Sequence, residues 1–588
     1  MWGWAMTETT PGREPVQIVE IKQPICAHVH GSAPCTATAT GDGRCFNTRA
    51  SCQDVANFAL GTPISLYFTK PQQSQPPGVY ALPFLQSVST APTAINLAVS
   101  SDNQTGLGVR AVAQITLSDA PHTDRIVDPY LSGRTYDPMS RGSFWTKWLV
   151  RNKFRVGMTV VVYEGYVGQS IGAMVSRQYQ IDRITGPGPG GTVTIVARDI
   201  LARLEDRKAK APTLSPGTVW QDIDATELTL IVQDATTSDY PASGTLRIGE
   251  ETITYSARSA DTSGRITFTI TERGSDGTTA EDHSVDDVVQ SCLRYTSVRV
   301  DTILNDLLAS YAGIDASYIP TSAWDAEISA YLNNFTLSSL ITEPTSVGQL
   351  VSEISEQCAL YIFWNERDKE VQLRAIRGID VQPATISDDA NIVMQSFSVS
   401  EYPEERVSQI WVHYNQHSPT KSLDDESNFK NVYIKADLSQ EAAETYGEPA
   451  IRQIFSRWLT TEILAKTLAS KVLSRYIDPP RRATLSLDAK DRSIWVGDTI
   501  YVDHSLDVDE FGERRARLWT VTSAEETLPG EQVKYLIEDT TLYGQIAVVM
   551  EDTDPDYQGD GSDQFDGMWI SRADGTYTNG DAAARITS

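Results

Sequence analysis

The chain has 588 residues, 40% of them apolar, and carries a formal net charge of −28. This composition is ordinary for a globular protein, and no run approaches the ~18 apolar residues that predict a membrane span. The excess of carboxylates repels phosphate backbones, so the charge argues against binding of nucleic acid through a basic groove.

The first 60 residues are predicted to form a cysteine-rich segment. Four of the six cysteines of the chain lie in it: Cys26, Cys35, Cys45 and Cys52. The residues between them are mostly Gly, Ala, Ser and Thr, which bury too little apolar surface to offset the entropy of ordering the segment. We therefore expect disulfides or a metal centre to hold it. Cys292 and Cys358 are interpreted as small buried apolar side chains.

The cysteine spacing leaves the kind of centre open. C-x8-C and C-x6-C, joined by nine residues, lack the short C-x2-C or C-x4-C pairs of ordinary zinc sites and the usual ferredoxin spacings. Small residues between the cysteines permit tight loops, so four thiolates can still converge on one centre. His28 and His30 could replace a cysteine in a zinc site. An iron–sulfur cluster, a zinc ion, and disulfides or free thiols all stay open on spacing alone.

Residues 61–217 are predicted to be a strand-rich unit. The stretch 109–119 alternates apolar and polar side chains, and later apolar runs also have period-two character. One short helix is predicted over 143–154. The motif GQSIG fits the G-x-S-x-G pattern of a nucleophilic serine at Ser170, but strand-like sequence both precedes and follows it. A β-loop is therefore the preferred interpretation.

Residues 218–296 are predicted to be a small all-β insertion module, because strand-like segments separated by turn residues lie between two linkers. Residues 297–390 mix helices and strands without a βαβ repeat, which predicts an α+β unit. A hairpin is expected over 360–376. Helices are predicted over 300–313, 322–334 and 345–359.

Residues 391–550 are predicted to be a second strand-rich unit that contains one long helix. That helix is expected to run from residue 451 to residue 476, before two prolines. Five apolar residues follow its i, i+3, i+4, i+7, i+8 stripe: Ile451, Ile454, Phe455, Trp458 and Leu459. Residues 551–588 are rich in Asp, Gly and Ser and predict a loop-rich extension.

Three stretches make the sequence resemble the baseplate hub, or tail tip, proteins of long non-contractile tailed bacteriophages and gene transfer agents. The cysteine segment resembles the one that holds a 4Fe–4S cluster in lambda-type tail tip proteins, although there it lies towards the C-terminus. Residues 248–256 and 271–289 are similar to a small β insertion module common in phage tail proteins. Residues 342–376, together with 493–504 and 518–526, resemble the two halves of the hub fold.

The resemblance implies a fold that is mainly β with α+β portions: a multidomain phage tail hub of β-barrel domains with a small all-β insertion domain. Residues 61–217 and 391–550 would be the two hub barrels, 297–390 the α+β hub domain, and 551–588 an extension toward a fibre. The cluster ligands would be Cys26, Cys35, Cys45 and Cys52, with a 4Fe–4S cluster as cofactor and zinc as the alternative.

The resemblance also implies a structural role in the virion, with no catalytic residues. A homotrimer assembled in the host cytoplasm would close the end of the tail tube, contact distal tail and tail tube proteins, and connect to a central fibre or host-binding tip protein. It would take part in DNA ejection, and genome DNA would cross its lumen without sequence-specific binding. The alternatives are a tail-associated cell-wall hydrolase or another enzyme, and an iron–sulfur or zinc-binding assembly factor.

Overall fold

Strands dominate the chain and form several separate sheets, which confirms the expectation of a mainly β, multidomain protein. The structure is a computed structural model that describes residues 6–97, 107–260, 264–332, 335–376, 383–509 and 511–539. Within those ranges, the helices are all too short or too polar to cross a bilayer. The extension predicted over 551–588 lies outside the described residues.

Eight strands form the first sheet. They are β1 (Pro15–Gln23), β2 (Ile64–Thr69), β3 (Ala81–Leu82), β4 (Leu85–Ala91), β5 (Val112–Ser118), β6 (Thr159–Tyr166), β7 (Val175–Thr185) and β8 (Thr192–Arg198). β5 and β8 alternate between buried and more exposed side chains, whereas β1 and β6 are buried along most of their length. The strand order is β3-β2-β1-β6-β7-β8-β5-β4. Since β1 pairs with both β2 and β6, the sheet continues across the domain boundary predicted at residue 60.

The first sheet closes into a barrel. Its two edge strands, β3 and β4, are separated in the chain only by Pro83 and Phe84, and three peptide units span at most about 11 Å. The edges must therefore meet, and Ser118 N in β5 donates a hydrogen bond to Phe84 O between them. The helix α1 (Phe144–Arg151) lies where sequence predicted one and packs aromatic side chains, among them Trp145, into the barrel core.

The insertion module follows β9 (Lys210–Ala211) and is a six-stranded sheet with its own hydrophobic core. Its strands are β10 (Thr218–Val219), β11 (Thr229–Gln233), β12 (Gly244–Ile248), β13 (Glu251–Ala260), β14 (Ile266–Glu272) and β15 (Gln290–Ser291). Entry and exit lie side by side, because Val289 N donates to Gly217 O and Ser291 N donates to Ser215 Oγ. The module therefore has the geometry of an insertion.

The α+β unit contains three helices and the expected hairpin. Its elements are β16 (Leu293–Arg299), α2 (Val300–Asp306), α3 (Thr321–Tyr331), β17 (Thr336–Ile341), β18 (Thr345–Ser346), α4 (Val347–Gln357), β19 (Leu360–Asn365) and β20 (Glu370–Ala375). A turn of π-helix, Leu307–Tyr311, extends α2. β16 pairs with β17, so the boundary predicted at residue 296 falls inside a strand of this unit. β18 pairs with β9, which anchors the unit next to the first barrel.

The last part of the chain forms two sheets and one long helix. Its elements are β21 (Ala384–Ser387), β22 (Ser398–Glu401), β23 (Gln409–Gln416), β24 (Phe429–Ala436), β25 (Ile451–Phe455), α5 (Glu462–Tyr476), β26 (Arg481–Asp488), β27 (Thr499–Asp503), β28 (Arg517–Leu528) and β29 (Gln532–Asp539). The three-stranded sheet has the order β24-β23-β25 and packs on α5. The six-stranded sheet has the order β21-β27-β28-β29-β26-β22.

The helix predicted from residue 451 is wrong over its first eleven residues, because α5 begins only at Glu462. Residues 451–455 are instead β25, which runs parallel to β23 and pairs Ile454 with Val412. Ile454, Trp458 and Leu459 are buried as the stripe required. A strand followed by an extended segment buries the same three side chains as a helix would, so the apolar pattern alone could not distinguish them.

The six-stranded sheet also closes on itself, and a segment of the first barrel joins it. β21 pairs with β27 at one edge, and a few residues later Ile392 pairs with Leu487 of β26 near the other edge. The chain after β4 then forms a bridge between Ala94 and Ser523 of β28. Ile95 and Leu97 from this segment are buried in the core of the second barrel. The two barrels are therefore joined by shared packing.

Candidate metal centre

All four predicted cysteine ligands lie in the loop between β1 and β2 and line a single cavity. Cys26, Cys35, Cys45 and Cys52 are half-buried, and none of the four forms a disulfide. His28 and His30 line the same cavity. The fold therefore brings together every side chain that the sequence proposed for this centre.

The thiols are packed closely enough to influence each other electrostatically. Burial raises the pKa of the Cys45 thiol, and charge on Cys52, Cys35 or Cys26 raises it further, although the backbone N–H of Asn47 lowers it. Four thiolates in this cavity would repel one another. A bound metal cation deprotonates the thiols that coordinate it, and its positive charge then balances the negative charge of the thiolates.

The donor types in this cavity, thiols and imidazoles, are those of both iron–sulfur and zinc centres. Among the described residues, no three Cys, His, Asp or Glu side chains are placed to hold one metal ion. A tetrahedral zinc with Zn–S bonds of about 2.3 Å requires sulfurs only about 3.8 Å apart. In a 4Fe–4S cluster each thiolate binds a different iron, so its four sulfur ligands stand farther apart than those of one zinc ion. These four thiols would hold such a cluster.

His30 adds a buried nitrogen with no partner to this cavity. Its Nε2 lies 2.8 Å from Ala39 O and donates a hydrogen bond to it. Nδ1 is buried and makes no hydrogen bond to the described residues. The ring packs near Tyr130, whose hydroxyl accepts a hydrogen bond from His30 N. An orphaned buried nitrogen beside four thiols is consistent with a centre that binds an additional group.

Arg134 fastens the cysteine loop to the first barrel. Its side chain is fully buried and forms an ion pair of 2.9 Å with the fully buried carboxylate of Asp128. The guanidinium also donates hydrogen bonds to four backbone carbonyl groups of the cysteine loop. These acceptors belong to Gly41, Asp42, Arg44 and Cys45. One arginine therefore satisfies much of the backbone next to the third cysteine.

Phe46 is the apolar anchor of the loop. Two guanidinium groups stack on its ring, with Arg134 4.2 Å and Arg151 3.9 Å from the ring centroid. Arg151 in turn forms an ion pair of 2.8 Å with Asp124, and Thr48 donates a hydrogen bond to Arg151 O. Cation–π contacts of partly desolvated arginines stabilise such packing by about 1–2 kcal/mol each. The barrel thus contributes to holding a loop that has little core of its own.

Sequence analysis missed these docking contacts. Arg134 lies about 90 positions from its acceptors in the chain, and no local periodicity or motif marks it. Ser170, which the sequence did mark, lies on an exposed turn between β6 and β7. Within the described part of the chain, no hydrogen bond joins its hydroxyl to a histidine or carboxylate, and it has no catalytic partners there.

No protein-family model and no curated protein sequence matches the chain. Among solved structures it is similar to the tail protein from Neisseria meningitidis MC58, with 11% identity and a TM-score of 0.37 over 78% of this chain and 98% of that one. The 43 kDa tail protein of prophage MuSo2 from Shewanella oneidensis gives 11% identity and 0.37 over 77% and 95%. A chain from the virion of a native gene transfer agent particle gives 12% and 0.29 over 58% and 93%. At these TM-scores the likenesses are too distant to assign a function.

Proposed function

We propose that the chain is a structural, non-catalytic tail protein of a phage or gene transfer agent and acts as the baseplate hub. The observation that carries the proposal is the pair of closed barrels in one chain, joined by the segment of Ala94 to Leu97. Three copies would place six barrels around one axis. Such a ring has threefold symmetry by chain and approximate sixfold symmetry by barrel, which suits the end of a sixfold tube.

In this proposal the cysteine loop binds one 4Fe–4S cluster through Cys26, Cys35, Cys45 and Cys52, and zinc is the alternative. The role of the cluster is structural. Its cations would neutralise the four thiolates, and the free energy of binding would become folding free energy of a loop that is anchored at Phe46 and Arg134. A reducing cytosol favours thiolate ligands over disulfides during assembly.

The proposal places the protein in the virion at the tail tip, between tail tube proteins and a central fibre or host-binding protein. The net charge of −28 suits a lumen through which DNA passes during ejection, because repulsion of phosphates prevents sticking. Sequence-specific contact with nucleic acid is not part of this role. The insertion module, with its own core, would lie to the side of the ring.

A tag in the insertion module tests the location and the copy number. The turn at Gly249, between β12 and β13, is exposed and leaves room for an added peptide. Assembled particles carrying the tag are labelled with gold-conjugated antibody and quantified by mass spectrometry. We expect label at one end of the tail and three copies per particle. Label on the capsid or along the whole tail, or absence of the chain from particles, would contradict the hub role.

A further inference from the structure

The insertion module carries an exposed tryptophan. Trp220 directly follows β10, and 42% of the residue is exposed. Among the tryptophans of the described residues it is the only exposed one, since the others are buried or half-buried. Tryptophan is highly buried on average, and where it stays at a surface it commonly contacts a partner through its apolar ring and its polar N–H. The ring of Trp220 is therefore a candidate contact surface for a ligand.

An open cavity of about 670 Å³ lies beside this ring. Its volume is within the range of about 300–1,000 Å³ that ligand pockets have. The end of β11, the turn that follows it and the residue before β14 form the rest of the wall. The polar side chains that line the cavity are Gln233, Asp234, Thr236, Asp239 and Arg265. One aromatic ring with a polar rim suits a small polar ligand better than an apolar one.

The rim of the cavity presents hydrogen-bond acceptors. Asp239 Oδ2 accepts hydrogen bonds from Thr236 N at 2.7 Å and Thr236 Oγ1 at 2.8 Å, whereas Oδ1 accepts none from the described residues. Gln233 Nε2 donates to Asp286 Oδ1 at 2.9 Å, which orients the amide and leaves Oε1 as an acceptor. The exposed carboxylate of Asp234 has no hydrogen-bond donor and no ion pair within the described part of the chain. A ligand that fits this rim must therefore supply donors.

The charges around the cavity argue against a charged ligand. The guanidinium carbon of Arg265 lies 4.6 Å from the centroid of the Trp220 ring, so the chain itself already places a cation on this ring. A second cation at the ring would be repelled by the first. The carboxylates of Asp234 and Asp239 outnumber this one cation, so an anionic ligand such as phosphate would be repelled as well. An uncharged ligand is therefore favoured.

The walls of the cavity are fixed by hydrogen bonds within the module. Trp220 N donates to Ile231 O at 2.9 Å, which holds the backbone of the tryptophan against β11. Asp234 has a φ of +59° and starts the turn that the bonds between Thr236 and Asp239 then brace. A site that is ordered before the ligand arrives loses less conformational entropy on binding.

We propose that this cavity binds one pyranose ring of a neutral saccharide. One face of a pyranose consists of C–H groups, which pack on the exposed part of the indole ring. Its hydroxyl groups lie around the rim of the ring and donate hydrogen bonds to the acceptors of Asp234, Asp239 and Gln233. The insertion module then has a binding activity of its own. This activity lies apart from the cysteine loop and does not depend on the hub role.

Saturation-transfer NMR on the full chain tests the site with defined probes, the methyl glycosides of glucose, galactose, mannose and N-acetylglucosamine. We expect at least one of them to bind with a dissociation constant of about 1 mM, as for a ligand of this size with few contacts. The indole N–H signal of Trp220, assigned from the spectrum of Trp220→Phe, should shift over the same range of concentrations. Choline and inorganic phosphate, the cationic and anionic probes, should leave that signal in place.

Variants locate the binding. Trp220→Ala removes the aromatic surface and should weaken binding at least about tenfold, whereas Trp220→Phe should bind more tightly than Trp220→Ala. Asp234→Asn keeps the shape of the side chain but removes its charge, and should weaken binding about fivefold. The matched control is Leu228→Ala, an exposed residue of the same module outside the cavity, which should stay within about twofold of the wild type.

Three results would overturn the proposal. The first is that none of the four glycosides binds at concentrations about tenfold above the expected constant. The second is that Trp220→Ala and Asp234→Asn bind as tightly as the wild type, which would place the saccharide elsewhere. The third is that choline or phosphate moves the Trp220 signal while the glycosides do not, which would assign the cavity to a charged ligand.

Discussion

Replacement of Arg134 by Met should release the cysteine loop from the first barrel. The side chain is fully buried, pairs with Asp128 at 2.9 Å and donates to four loop carbonyls. Removing one partner of a buried ion pair costs about 3–5 kcal/mol, because the other charge stays buried without compensation. The lost carbonyl contacts overlap with this cost rather than adding to it. We therefore expect local destabilisation of about 4 kcal/mol, most of the stability of a loop with little core.

Hydrogen exchange of the loop amides in metal-free protein measures this loss directly. Cys26 N donates to Asn47 O and Gly61 N donates to Ile25 O, so both amides are protected only while the loop is docked. A change of about 4 kcal/mol corresponds to roughly a thousandfold faster exchange. Amides of β7, which lies elsewhere in the barrel, should keep their exchange rates.

Two variants separate this reasoning from a general loss of stability. Arg141→Met removes an exposed arginine from the same connection and should change exchange by less than about threefold. The double variant Arg134→Met/Asp128→Asn removes the stranded charge and should exchange more slowly than Arg134→Met alone. If Arg134→Met accelerated loop exchange by less than about threefold, the docking account would be refuted.

Four further outcomes are expected. Cys45→Ser should lower the iron content and raise the exchange rate of the cysteine-loop amides to that of the metal-free wild type, while circular dichroism and exchange in β26 to β29 stay unchanged, since metal binding adds stability to that loop only. Replacing residues 218–290 with a short Gly/Ser bridge should leave a folded remainder by light scattering and thermal melting, because the module has its own core and adjacent ends. In that module burial raises the pKa of Glu251, but hydrogen bonds from Arg273 and His283 outweigh burial and lower this pKa to about 2. The local stability of the module should therefore fall as the pH drops below about 4.5. Hydrogen exchange in Glu251→Gln should lack this pH dependence. Ser170→Ala should leave particle infectivity unchanged in plaque or transfer assays.

Much of the fold could be predicted from periodicity, and the exceptions have a common cause. The helix at 143–154 and the hairpin at 360–376 were found because each buries one regular face. Residues 451–459 were assigned to a helix although they begin as a parallel strand, since partner β23 lies some 40 residues away. β16, which crosses the boundary predicted at residue 296, pairs with β17 beyond the α2–α3 segment. Pairing between distant segments leaves no local pattern.

Some residues of the candidate site could be recognised in the sequence, and others could not. The four cysteines could be recognised because their residue type is rare and their neighbours are too small to form a core. Arg134 and Phe46 could not be recognised, since their roles depend on contacts between segments about 90 positions apart in the chain. Trp220, Asp234 and Asp239 also form no motif in the sequence. Only the pairing of β10 with β11 and the turn after β11 bring them to one cavity.

Native mass spectrometry of the full chain, purified without oxygen, tests the hub and its centre most directly, because it reports assembly state and bound metal together. The account predicts a complex of three chains in which each chain carries the mass of one 4Fe–4S cluster. Cys45→Ser should reduce the cluster mass and retain the trimer, since the barrels form the ring. A protein that stays monomeric at all concentrations, or a trimer that carries zinc and no iron, would contradict the account.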